Sequence, residues 1–135
     1  MADKAPTIIR EIMSRDCYRV TGNTSVATLA EGLALHRLPG VPVVDGNDFL
    51  IGFISEQDVM SKVLESAYLN DEPPLVNDLM RHEVLSVSPT KSITDLAQEM
   101  FGNKPKVYPV VEQNRLVGIV TRRDVLNAIL RMRHR

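Results

Sequence analysis

The chain reads as an α/β protein, α+β in the sense that helices flank small sheets, made of two copies of one short unit. Slid against itself by 67 positions, Ile12-Met13 falls on Leu79-Met80, Val20 on Val87, Ser25-Val26 on Ser92-Ile93 and Leu29-Ala30 on Leu96-Ala97. The match runs on through Pro42-Val43-Val44 over Pro109-Val110-Val111, loses one residue in a turn, and continues at a shift of 66 with Gly52 over Gly118, Ser55 over Thr121 and Asp58 over Asp124. Within both copies the apolar period changes from helical to strand-like and back in the same order. An ordered series of matches with a single gap in a turn points to duplication of a structural unit. Each copy has about 60 residues and so a marginal core of its own, which predicts that the two share apolar faces.

Each copy opens with a leading segment, residues 8–13 and 75–80, expected to be helical, followed by a short extended piece. Residues 24–37 place Val26, Leu29, Ala30 and Leu33 on one side of a helix with Thr24 or Ser25 as its cap, and Ile93, Leu96, Ala97 and Met100 repeat that face ahead of Gly102. Both runs predict helices of about three turns. Two β-rich runs follow, Val41-Pro42-Val43-Val44 and residues 49–54, separated by Asp45-Gly46-Asn47-Asp48, and residues 107–111 and 116–120 are their counterparts across Glu112-Gln113-Asn114-Arg115. The turn chemistry predicts hairpins. Pro42 and Pro109 lack the N–H that a ladder needs, which predicts strand edges or starts with backbone open to another group. A closing helix carries Val59, Met60, Val63, Leu64 and Ala67 on its apolar side, and Val125, Leu126, Ile129 and Leu130 repeat the pattern. Asn70-Asp71-Glu72-Pro73-Pro74 stops the first closing helix and joins the copies.

With 44% apolar and 24% charged residues, the chain has neither the polar bias of disorder nor an apolar stretch able to span a bilayer. No apolar run precedes Ile8, so the expected location is cytoplasmic, with no membrane partner. The single cysteine, Cys17, excludes an internal disulfide framework and a multi-thiolate zinc site. A net charge of -1 provides no global field to gather nucleic acid, although Arg122, Arg123, Arg131, Arg133 and Arg135 make a basic C-terminal region. His36, His82 and His134 show neither metal-ligand nor triad spacing, so no catalytic residue or metal site is assigned and the chain is not expected to be an enzyme.

The chemistry concentrates in Gly52-Phe53-Ile54-Ser55-Glu56-Gln57-Asp58 and Gly118-Ile119-Val120-Thr121-Arg122-Arg123-Asp124. Each sets a glycine in a strand, a hydroxyl at the following helix entrance and a carboxylate three residues later. One account is a reciprocal helix cap, the hydroxyl accepting from an early amide while the carboxylate accepts in return. Capping leaves the glycines unexplained, since glycine weakens a strand unless something must approach its backbone closely. A planar heterocycle against that backbone would use the space, a carboxylate can accept from both hydroxyls of a ribose, and a helix entrance suits phosphate oxygens. Capping and ligation are compatible because a carboxylate has two oxygens. In the second copy Arg122, Arg123, Lys104 and Lys106 can meet a phosphate and Tyr108 can shield a base, although the same residues also fit a solvated loop and a sheet position. The first copy has Glu56 and Gln57 at the corresponding places and should take a less charged ligand or none.

The repeat resembles the CBS domain, and the chain as a whole is similar to a tandem pair, or Bateman module, over residues 8–130. The residues that carry the resemblance are Val20-Thr21 and Val87-Ser88, the two proline-containing strands, and the closing Gly52…Ser55…Asp58 and Gly118…Thr121…Asp124 runs. The resemblance implies two repeats with sheets packed about a pseudo-twofold axis, and clefts that take AMP, ADP, ATP or S-adenosylmethionine as regulatory ligands, with no cofactor required. It implies Thr21, Val41, Pro42, Ser55 and Asp58 for one cleft and Ser88, Val107, Tyr108, Pro109, Thr121, Arg122 and Asp124 for the other. It also implies a homodimer formed through CBS helices, and control of a separate enzyme or transporter. The expected organisation is a flexible segment 1–7, a first repeat 8–69, a linker 70–74, a second repeat 75–130 and a basic tail 131–135. The expected function is a sensor that passes ligand occupancy to a partner. The alternatives are a ligand-free dimerisation or interaction module and, as a minor one, a single-stranded nucleic-acid binder.

Overall fold

The structure, a computed structural model, describes residues 4–69 and 74–133, with residues 66–69 described by backbone alone. The side chain of Ala67 on the closing helix, linker residues 70–73, the first three residues, His134 and Arg135 lie outside what is described. The elements in order are β1 (Val20–Thr21), α1 (Val26–His36), β2 (Gly40–Val44), β3 (Leu50–Ser55), α2 (Glu56–Leu69), α3 (Val76–Leu79), α4 (Ile93–Glu99), β4 (Val107–Glu112), β5 (Arg115–Thr121) and α5 (Arg122–Arg133), preceded by a 3-10 turn at Ile9–Glu11. Small sheets flanked by helices recur in the two copies, as the duplicated periodicity predicts.

Ser25 caps α1, accepting from the Thr28 amide at 3.1 Å, and Ser92 caps α4 from the Asp95 amide at 3.4 Å. The expectation of three turns holds for the 11 residues of α1, whereas α4 has only 7 and closes at Met100, just ahead of Gly102 at φ +82°. Helix α1 also ends on a left-handed residue, Arg37, whose amide returns to the Ala34 and Leu33 carbonyls. The leading segments are less helical than expected: the first is the three-residue 3-10 turn, the second the four-residue α3. Both are brief because the chain then turns extended to meet a strand. Ser14 exchanges backbone hydrogen bonds of 2.8 and 3.0 Å with Ile119, and Arg81 does the same with Phe53 at 2.8 and 2.9 Å.

Strands β1, β2 and β3 form one sheet in that order, β1 parallel and β3 antiparallel to β2. In the second copy β4 pairs with β5, and Val87 adds a single parallel bridge to Val110, the counterpart of Val20 beside Val43. The tight turn of the second hairpin has Gln113 at φ 50° and Asn114 at φ 67°, two left-handed residues in succession that suit the twist of the flanking strands. In the first hairpin the Asp45 carboxylate organises the turn by accepting from the Asn47 and Phe49 amides.

Pro42 departs from expectation, whereas Pro109 lies in the two-stranded β4-β5 sheet, in an edge strand as expected. Pro42 sits in the middle strand of its sheet, opposite Phe53, and both Pro42 and Pro109 are buried. The missing N–H costs no ladder bond, because Phe53 directs its own amide and carbonyl to Arg81 and β1 begins pairing only at Val43. In the second copy the Pro109 carbonyl still accepts from Val87 at 3.0 Å.

The compact units do not coincide with the sequence repeats. Within the described residues, one comprises 18–69, 74–84 and 114–116, and the other 4–17, 85–113 and 117–133. Each repeat therefore lends its leading segment to the unit built on the other repeat's sheet. In the first-copy unit Val76 and Met80 join Val20, Leu29, Val41, Val43, Ile54 and Val59 in the core. In the second-copy unit Ile9, fully buried, joins Leu96, Tyr108, Val110, Val120 and Val125. The closing helices bury less than their apolar patterns predict: Val59 and Val125 are inside, while Met60, Val63, Leu64, Leu126 and Leu130 are exposed.

Candidate functional site

Strand β3 runs directly into α2 and β5 into α5, so Ser55 and Thr121 occupy the two helix entrances and the carboxylates lie in the first turns. The reciprocal cap is present in both copies. The Asp58 amide donates to Ser55 Oγ at 3.1 Å, while Asp58 Oδ2 accepts from the Ser55 amide at 3.1 Å and its hydroxyl at 2.9 Å. The Asp124 amide donates to Thr121 Oγ1 at 3.1 Å, and Asp124 Oδ2 accepts from the Thr121 amide at 2.9 Å. These bonds satisfy early helix amides and set negative charge at the helix's positive end.

The glycines have an internal explanation that corrects the heterocycle reading of the strand. A Cβ on Gly52 would fall 2.6 Å from Met80 Sδ and 2.9 Å from the Arg81 carbonyl oxygen, and one on Gly118 would fall 2.7 Å from the Ser14 carbonyl oxygen. The close approach inferred from these glycines is real, but the approaching group is the chain's own leading segment.

Each implied ligand set falls within one compact unit: Thr21, Val41, Pro42, Ser55 and Asp58 in the first-copy unit, and Ser88, Val107, Tyr108, Pro109, Thr121, Arg122 and Asp124 in the second. Thr21 and Ser88 are exposed at equivalent turns; Thr21 donates to Asn23 Oδ1 at 2.6 Å, and Ser88 Oγ lies 3.0 Å from Thr90 Oγ1. Val41, Pro42, Val107 and Pro109 are buried in their strands. Tyr108 is only 4% exposed, its ring packed in the core with Ile9 and Val87. Burial, and then the charge of Glu99, push its hydroxyl above the ordinary tyrosine range despite an opposing effect of Lys91. The Arg122 amide donates to the Lys106 carbonyl at 2.9 Å, which ties the loop carrying Lys104 and Lys106, both exposed, to the helix entrance beside Thr121. The Glu56 amide makes the matching bond to the Pro39 carbonyl at 2.8 Å, so a proline stands where the second copy has Lys106, while Arg37 occupies the place of Lys104.

The two carboxylates differ in one partner that the motif does not contain. Arg81 grips Asp58 with Nη2 3.1 Å from Oδ1 and with Nε 3.3 Å from each oxygen. Burial raises the Asp58 pKa, but the Arg81 hydrogen bonds, the Ser55 hydroxyl and amide, and the Arg81 charge outweigh it and hold the group below the ordinary aspartate value. The position equivalent to Arg81 at a shift of 67 is Ser14. Among the described residues Asp124 has no cationic partner, and its Oδ1 accepts no hydrogen bond. The one signal of Arg81 in the sequence is this mismatch, immediately after the matched Met13 and Met80.

Other chemistry is sparse. His36 stacks on Tyr18 at 4.6 Å between ring centres, and Cys17 is partly buried. Among the described residues no three His, Cys, Asp or Glu side chains are grouped to hold a metal ion, and no helix is long and apolar enough to cross a membrane.

Comparison with known proteins identifies the fold. The crystal structure of CBSX2 in complex with AMP superposes with a TM-score of 0.82 at 28% identity, covering 95% of this chain and 99% of that one. Hypoxic response protein 1 of Mycobacterium tuberculosis is 27% identical over 88% of this chain and 82% of its own length. Inosine-5'-monophosphate dehydrogenase of Methanocaldococcus jannaschii is 28% identical over 86% of this chain, which spans only 22% of that enzyme, and an uncharacterised protein of the same organism is 29% identical with 42% of its length spanned. The family model described as the CBS domain matches twice, at residues 9–65 and 76–131, leaving little of the chain outside it. With two such matches in tandem and a pair of equivalent strand-to-helix junctions, the chain belongs to the CBS-domain family as a CBS pair, or Bateman module.

Proposed function

We propose that this CBS pair is a sensor that binds an adenine nucleotide at the Thr121–Asp124 junction and passes its occupancy to a separate protein. The observation that carries the reading is the state of Asp124: Oδ2 is fixed by the Thr121 amide, while Oδ1 accepts nothing among the described residues. A fixed carboxylate with a free oxygen is a pre-organised acceptor for ribose hydroxyls. Arg122, Lys104 and Lys106 near the same helix entrance supply charge for a phosphate. The AMP carried by the CBSX2 relative supports the ligand class. AMP, ADP, ATP and S-adenosylmethionine all present the adenosine that such a site reads. Calorimetry with AMP, ATP and S-adenosylmethionine tests the proposal: Asp124→Ala should weaken binding by about 1.5 to 3 kcal/mol, the scale of lost charge-assisted hydrogen bonds. Unchanged affinity in that variant removes Asp124 from the site.

A second reading is favoured by the exposed apolar residues of α2 and α5, where Met60 is 67% and Leu64 60% exposed and Leu126 and Leu130 stand out likewise. Helix faces of this kind suit a homodimer, with or without ligand. Sedimentation of the wild type and of Met60→Glu/Leu64→Glu distinguishes the cases. A dimer that shows no thermal shift with any of the three compounds favours the ligand-free interaction module.

A further inference from the structure

Resting on the nucleotide reading above, we infer that Arg81 closes the first copy's junction, so that each chain binds one nucleotide, through Asp124, and Arg81 determines that stoichiometry. A carboxylate offers about four lone-pair positions. On Asp58 the Ser55 amide and hydroxyl occupy Oδ2, and Arg81 covers both oxygens through Nε and Nη2. No acceptor position remains for a vicinal diol unless the guanidinium leaves. Asp58 is well shielded, with its side chain 15% exposed against 66% for Arg81, so the cation covers the carboxylate from the solvent side.

The backbones of the two junctions are alike at this point. Arg81 pairs with Phe53 through two backbone hydrogen bonds, and Ser14 pairs with Ile119 through the same two. The side chain alone differs, and a serine is too short to reproduce the forked contact. Charge at the helix entrances points the same way, because the first copy has Glu56 and Gln57 where the second has Arg122 and Arg123. A nucleotide displacing Arg81 would give up a bidentate ion pair and set its phosphate beside Glu56.

The test is calorimetry of the full chain with AMP, comparing wild type, Arg81→Ser, Arg81→Gln, Asp124→Asn and the Arg81→Ser/Asp124→Asn double variant. Serine is the residue the chain itself uses at the equivalent position, and Arg81→Gln removes the charge while keeping a long side chain should Arg81→Ser fold poorly. The wild type is expected to take one AMP, with an affinity that Asp124→Asn lowers at least about tenfold. Either Arg81 variant is expected to take two at comparable affinity, and the double variant to keep the one at the opened first-copy site while the other is weakened. The affinity of the opened site should rise at least about tenfold over the wild-type first copy, equivalent to about 1.4 kcal/mol. Two AMP of similar affinity on the wild type, or Arg81 variants that still take one or bind more weakly, overturn the inference while leaving nucleotide sensing intact. No AMP bound by the wild type or by either Arg81 variant overturns both.

Discussion

The carbonyl oxygen of Ser14 lies 2.7 Å from where a Cβ on Gly118 would stand, although the two residues are at opposite ends of the chain. The equivalent contact, Arg81 against Gly52 at 2.9 Å, recurs in the other unit. The glycines therefore mark the seams where each repeat's leading segment is laid onto the other repeat's strand.

Gly118→Ala should cost about 1 to 3 kcal/mol, the usual scale of overpacking, because the obstructing atom is a backbone carbonyl engaged with Ile119 and has nowhere to retreat. Gly46→Ala, with nothing within 4 Å, should be neutral or slightly stabilising. Urea unfolding of both variants checks the pair, and equal effects would remove the seam explanation.

Ile9→Ala should cost about 2 to 5 kcal/mol, since Ile9 is fully buried. The loss should appear in the unit built on the second repeat, although Ile9 belongs to the first. Amide hydrogen exchange is the discriminating measurement: protection at Val110 and Val120, which share its cluster, should fall before protection at Val43 and Ile54.

The Asp58 carboxyl titrates below its ordinary value in the folded chain, so the unfolded chain takes up the proton first as pH falls. Its contribution is complete above about pH 4, the unfolded aspartate value, and is lost as pH drops through the lower folded value. The stability difference between wild type and Asp58→Asn should therefore be largest near neutral pH and narrow toward pH 3. A gap that widens on acidification would contradict the Arg81 pairing.

Ser25→Ala should remove an N-cap worth about 1 kcal/mol. Ser92→Ala should cost less, because its bond to Asp95 is 3.4 Å long against 3.1 Å for Ser25 and Thr28. Thermal melts of the two single variants rank them directly.

The sequence by itself determined the duplication, the strand-turn-helix order of each copy and the hydroxyl-carboxylate caps at Ser55–Asp58 and Thr121–Asp124. All of these follow from periodicity, turn chemistry and partners three residues apart, which local stereochemistry dictates. The exposed faces of α2 and α5 were legible only as apolar stripes, since a helical period says which residues share a side and not whether anything covers it. Tertiary structure decided that Pro42 lies in a middle strand, that Gly52 and Gly118 admit the chain's own backbone, and that Arg81 reaches Asp58 across 23 residues of sequence. Those outcomes depend on contacts between segments far apart in the chain, where the final packing, and no local preference, selects which groups meet.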